Sequence, residues 1–140
     1  MARSNQTADW GNRLSPSIAE IESLAIEAYA HLPETFRDLC GEITMQISEF
    51  PDDQIVEDMG LESPFDLMGL FEGNGIGERF SLPTGQQANR ITLYRRAILD
   101  YWAEYEETLG DIVTHVLIHE IGHHFGLSDE EMERIEAGAE

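Results

Sequence analysis

Residues 111–125 read Asp-Ile-Val-Thr-His-Val-Leu-Ile-His-Glu-Ile-Gly-His-His-Phe and restrict the fold more than any other stretch. The segment has no proline and its spacing predicts a helix. Ile118, Ile121 and Phe125 form one apolar stripe, and Val113 and Leu117 form another. A helix apolar on nearly every side lies inside a core rather than on it. Yet this helix carries Glu120 and two inward histidines, groups that are costly to bury without partners. Metal binding removes that cost. At about 100° per residue, His119 and His123 fall about 40° apart and one turn from each other, within reach of one ion. Two histidines at this spacing, with a glutamate after the first, form the first half of a zinc site and its general base.

A third ligand has to come from outside the helix. Gly126 stands where the helix should end, because glycine tolerates the left-handed conformation that closes one. The chain can then reverse and bring Asp129 toward the metal. A carboxylate oxygen is an acceptable zinc ligand, and three protein ligands leave one position open for water. A competing account of Asp129 exists: Ser128 and Glu131 form a capping box for a last helix to Ala137, and acids are favoured in a first turn anyway. Both can hold together, and Glu130, Glu131 or Glu133 are the next candidates. Two histidines and a carboxylate also suit iron(II); the glutamate beside the first histidine favours one Zn2+ per chain. Zinc lowers the pKa of a bound water to roughly 7. Glu120, about 100° round from His119, is placed to take that water's proton. The chemistry expected is hydrolysis of an amide, most simply a peptide bond.

Other residues of the helix have plainer expectations. His115, one turn before His119, is read as a hydrogen-bonded histidine at the helix entry rather than a group supporting a ligand. His124 points away from the ligand face and is read as structural. Gly122 costs about 1 kcal/mol in a helix, which implies the close passage of another backbone.

The chain has 140 residues, enough for one domain with its own core. Its 28 acids against 8 bases give a formal charge of −20. That balance argues against nucleic acid and anionic membrane as partners. A single cysteine, Cys40, permits no internal disulfide and suits a reducing compartment. With neither a membrane-length apolar run nor a secretory leader pattern, a cytoplasmic location is expected.

Residues 1–14 are polar and aperiodic and are expected to be a disordered arm, with a single domain over 15–140. Ser15-Pro16 reads as the start of a first helix bearing Ile18, Ile21, Leu24, Ala25 and Ala28 at helical spacing. Pro33 opens a short helix, Glu34 to Leu39. Ile43, Met45 and Ile47 alternate with polar residues as a half-buried strand. Gln54 to Glu62 reads as a short helix or a loop ending at Gly60. Leu67–Phe71 and Arg90–Tyr94 read as two further strands. The Gly73–Asn89 segment is read as a long loop, expected to move over the cleft as a lid. Arg96 to Glu106 reads as a helix with Ile98, Leu99, Trp102 and Tyr105 inward. Arg90, Arg95 and Arg96 are expected to pair with neighbouring acids rather than hold a substrate carboxylate. Tyr94 is read as a core or surface tyrosine rather than an oxyanion donor.

The residues His119-Glu120, His123, Gly126 and Asp129 resemble the metzincin side of the zincin peptidases. From about Pro33 to Ile135, the chain is similar to a family of small bacterial minimal zincins. The supporting residues are Met68-Gly69-Leu70-Phe71-Glu72-Gly73, Arg90 to Arg96, and His119 to Asp129. The resemblance implies an α+β fold with a small, mostly three-stranded sheet packed on a buried metal-binding helix. It implies His119, His123 and Asp129 as ligands and Glu120 as base. The chain departs from typical metzincins in having Met132 too near Asp129 to form a methionine turn beneath the metal. Two functions remain open. One is a zinc metallopeptidase acting on a peptide or protein that adds to an edge strand, Leu67–Phe71 or Arg90–Tyr94. The other is a catalytically silent metal-binding interaction module. Oligomeric state is not fixed by the sequence.

Overall fold

A computed structural model describes residues 10–73 and 89–138. The fold is α+β, with helices around a three-stranded mixed sheet. The elements are α1 (Ile18–Ala30), α2 (Glu34–Cys40), β1 (Ile43–Ser48), α3 (Asp53–Asp58), a 3-10 turn (Pro64–Asp66), β2 (Gly69–Glu72), β3 (Asn89–Tyr94), α4 (Arg95–Glu104), α5 (Leu109–His124) and α6 (Asp129–Gly138).

The sheet order is β1-β3-β2. β3 runs parallel to β1, with Ile43 opposite Asn89, and antiparallel to β2, with Gly69 opposite Leu93. Arg90–Tyr94 is therefore the central strand and cannot serve as a rim; among the described residues β2 lies at an edge. The burial of Ile91, Thr92, Leu93 and Tyr94 agrees with that central position. The second strand starts at Gly69 rather than Leu67, because Ser63 caps the 3-10 turn and Leu67 follows it into a small cluster with Tyr94 and Ala97.

α5 occupies the centre. Ile112, Val113, Val116, Leu117, Ile118 and Ile121 are all buried, so its apolar surface is used on several sides. It packs against α1, β2, β3, α4 and α6. Ile21 and Ala25 of α1, Ile98 of α4 and Met132 of α6 complete the same core with Ile91 and Leu93. Burying such side chains contributes roughly 1.5–3 kcal/mol each, so the segment that carries the histidines is anchored by the core.

Local chemistry sets the helix ends. The first helix begins after Ser17, not at Ser15-Pro16. The Ser17 hydroxyl accepts from the Glu20 amide, and the Glu20 carboxylate accepts from the Ser17 amide. Ser15 and Pro16 instead accept hydrogen bonds from Arg95, at 2.8 and 2.7 Å. Of the arm expected over 1–14, residues 1–9 lie outside the described residues. Trp10 meets the Trp102 ring at 6.5 Å and lies under the Arg13 guanidinium.

Residues 54–62 resolve into a short helix capped by Asp52 and closed at Gly60, which has φ 66°. In α4, Ile98 is buried and Leu99 and Trp102 pack against the core. Tyr105 faces outward at 51 % exposure, because the helix stops at Glu104 and the ring stacks on Tyr101 instead. The three arginines take separate partners: Arg90 pairs with Glu72, Arg95 with Glu49, and Arg96 lies over the Phe50 ring. The expected lid falls largely within 74–88, outside the described residues. Among the described residues, no helix is long and apolar enough to cross a membrane.

Candidate metal centre

The geometry of the centre starts from the two ends of α5. Thr108 caps the first turn by accepting from the Asp111 amide at 3.1 Å. At the other end the Gly126 amide donates to His123 O and the Leu127 amide to Gly122 O, at 3.2 and 2.9 Å. These paired bonds, with Gly126 at φ 77°, make a Schellman closure. The closure folds the chain back, so that α6 packs on α5.

Met132 of α6 is fully buried and fills the space left by Gly122. A Cβ on Gly122 would fall on Met132 Sδ and lie 2.8 Å from its Cγ. The close passage expected at Gly122 is thus made by a side chain, not a backbone.

Three histidines follow each other along α5 at four-residue spacing. The His115 and His119 rings stack at 4.0 Å, and the His119 and His123 rings meet edge to face at 5.7 Å. His119 is the least exposed of the three: its side chain is 24 % exposed, while His115 and His123 lie at the surface. Burial lowers the His119 pKa below the ordinary value, and His115 adds to the effect. Its imidazole is therefore neutral near pH 7, with a lone pair free to bind a cation.

Glu120 faces a different neighbour. Gly69 of β2 is buried against α5 where a Cβ would lie 2.7 Å from Val116 Cγ1 and 3.2 Å from Glu120 Cγ. The missing side chain is what lets the strand approach the glutamate so closely. Glu120 makes no ion pair among the described residues. Burial raises its pKa to about 7. A carboxyl with that value can both accept and return a proton near neutrality.

Asp129 is the first residue of α6, behind the expected capping box. The Ser128 hydroxyl accepts from the Glu131 amide, and the Glu131 carboxylate accepts from the Ser128 amide. Asp129 is exposed, and its charge is near enough to oppose the lowering of the His119 pKa.

Glu136, on the same helix, comes closer still. Its carboxylate lies 2.9 and 3.0 Å from His115 Nδ1 and 3.8 Å from His119 Nε2. Among the described residues, His115, His119 and Glu136 are the set whose donor atoms all lie within 4.8 Å of one another. Sequence reasoning missed Glu136. A usable signal was present: Asp129, Met132 and Glu136 follow the i, i+3, i+7 stripe of one helical face.

His124 is packed rather than displayed. Its ring lies 4.3 Å from Phe71, and its buried Nε2 has no hydrogen-bond partner among the described residues. Tyr94 is buried beside Leu67 and Ala97, and burial raises its hydroxyl pKa.

The donor chemistry fits a zinc ion. Imidazole nitrogens and carboxylate oxygens gather on one side of α5, a neutral His119 is among them, and a glutamate without an ion pair among the described residues stands next to it in the chain. A His-Glu-x-x-His helix buried beneath a small mixed sheet is the arrangement of a zincin-type centre. The sequence pattern of the zincin-like metallopeptidases matches residues 40–139, from the end of α2 to the end of α6. The chain belongs to that family. No curated protein matches it. Helix α1 lies outside the matched region, although Ile21 and Ala25 pack into the same core.

Proposed function

We propose that the protein is a zinc-dependent peptidase in which His119, His123 and Asp129 hold the ion and Glu120 is the general base. The observation that carries this reading is Glu120: a carboxyl half-buried against β2, without an ionic partner among the described residues, its pKa raised to about 7 beside a pair of histidines. An ion-paired glutamate or one at its ordinary pKa would be a weaker base or a structural group. Family membership supports the same chemistry at the level of the class.

When bound, the ion supplies a Lewis acid that polarises a carbonyl and makes a water more acidic. The residues of the chain do the rest. Glu120 takes a proton from the attacking water on a carboxylate oxygen and delivers it to the nitrogen of the leaving amine. Burial, by raising its pKa, makes Glu120 a stronger base than an exposed glutamate. The outer edge of β2, Gly69–Glu72, unpaired among the described residues, is the rim to which an extended peptide adds as a further strand. The substrate is accordingly a peptide or protein segment in extended form, and the acidic chain disfavours nucleic acid as a partner.

Replacing Glu120 by Gln tests the assignment. The variant should bind zinc as the wild type does and lose hydrolysis by about 10²-fold or more. If the wild type cleaves nothing across a broad peptide library while still binding zinc, the protein is a metal-binding interaction module instead.

A further inference from the structure

We infer that His115, His119 and Glu136 form a divalent-cation site of their own, one that draws its carboxylate from the last helix. The inference goes beyond the peptidase assignment and shares only His119 with it.

Three donor atoms from two helices, His115 and His119 on α5 and Glu136 on α6, converge within 4.8 Å of one another. Zinc binds histidine nitrogen and carboxylate oxygen at about 2.0–2.2 Å, so two tetrahedral ligands sit roughly 3.4 Å apart. From Glu136 Oε1 the distances to His115 Nδ1 and His119 Nε2 are 3.0 and 3.8 Å, on either side of that value. The longer separation exceeds hydrogen-bond reach. His119, one turn from His115, places its Nε2 3.8 Å from the same carboxylate. An ion between the three donors accounts for both histidines.

The site is built from two elements whose packing is fixed independently of any metal. His115 and His119 lie one turn apart on α5, stacked at 4.0 Å. Glu136 lies one turn beyond Met132, which is fully buried against Gly122. The buried methionine therefore sets where the carboxylate meets the histidines. All three side chains retain solvent access, so an ion can enter.

His119 belongs to this set and to the set with His123 and Asp129. His119 Nε2 is the nitrogen that faces Glu136, and one imidazole nitrogen holds one ion, so a peptidase ion bound through that nitrogen and an ion in this set exclude each other. A borderline cation such as zinc or cobalt suits two imidazoles and one carboxylate.

The experiment uses the metal-free full chain titrated with zinc against a chromophoric chelator. Far-UV circular dichroism and the metal-free melting temperature check that each variant is folded. In a His123→Ala/Asp129→Asn background one equivalent of zinc should still bind. Adding Glu136→Gln or His115→Ala to that background should weaken binding at least tenfold. No zinc binding in the background variant, or binding that Glu136→Gln leaves unchanged, overturns the inference; loss of binding in the background leaves the peptidase ligand set standing. If the background variant binds zinc as tightly as the wild type, the inference holds and it is the assignment of His123 and Asp129 that fails.

Discussion

Replacing Glu120 by Gln should stabilise the metal-free protein, and more so as the pH rises. In the unfolded chain this carboxyl titrates at its ordinary value of 4.5, whereas in the fold burial raises it to about 7. A raised carboxyl pKa means that the folded state binds more protons between these values. Its effect on stability is therefore absent below about pH 4.5, grows as a penalty with rising pH, and is complete above about pH 7. At 1.36 kcal/mol per unit the ceiling is about 3 kcal/mol at pH 8 and about 1 kcal/mol at pH 5.5. The side chain keeps some solvent access, so the penalty at pH 8 should be about 1–3 kcal/mol. Glutamine has the same shape and cannot ionise. Urea unfolding of both proteins in chelator, at pH 8 and at pH 5.5, clear of the sequence pI of 4.3, measures the difference directly. The other carboxylates cancel between variant and wild type. The stability gap should be larger at pH 8 than at pH 5.5. A gap that is constant, or larger at pH 5.5, would refute burial as the cause of the raised pKa. Zinc should shrink the gap, because a nearby cation favours the ionised carboxylate.

Further outcomes follow from the packing. Gly69→Ala would push a methyl group into Val116 and against Glu120, so it should cost about 1–3 kcal/mol in urea unfolding. If the peptidase assignment holds, it should also lower kcat. Gly126→Ala meets no atom within 4 Å, so its cost is one of backbone conformation alone: about 1–2 kcal/mol at φ 77°, read from the same titration. Met132→Ala should destabilise by about 2–5 kcal/mol. It should also weaken zinc binding in a chelator competition, because Asp129 and Glu136 both ride on the helix that Met132 anchors. Removing zinc should lower the melting temperature; zinc at about 1,000 times Kd stabilises by roughly 4 kcal/mol, and no change on adding chelator would show that the fold holds no ion.

Local pattern carried much of this protein. The periodicity of α5, the Gly126 closure, the Ser128 capping box and the alternation of β1 depend on residues within a few positions of each other, and all were legible. The expectation of an α+β zincin-like fold rested on the same short stretches and agrees with the structure. Element ends were less secure where two caps competed. Ser15-Pro16 reads as a helix start, and only the distant Arg95 shows why Ser15 is used otherwise.

What the tertiary structure alone decided is which separated segments meet. Strand order is such a case: nothing within Arg90–Tyr94 announces that it runs between β1 and β2 rather than at a rim. The surroundings of Glu120 are another. The sequence places the glutamate on a helix beside His119, but its pKa depends on Gly69, more than fifty residues earlier, admitting β2 against it. Glu136 is the third. Helical periodicity aligns it with Asp129 and Met132, yet only the seating of Met132 on Gly122 brings its carboxylate to His115 and His119. Spacing fixes which side chains share a face of one element; burial and metal-ligand contacts arise between elements, and those depend on how the core packs.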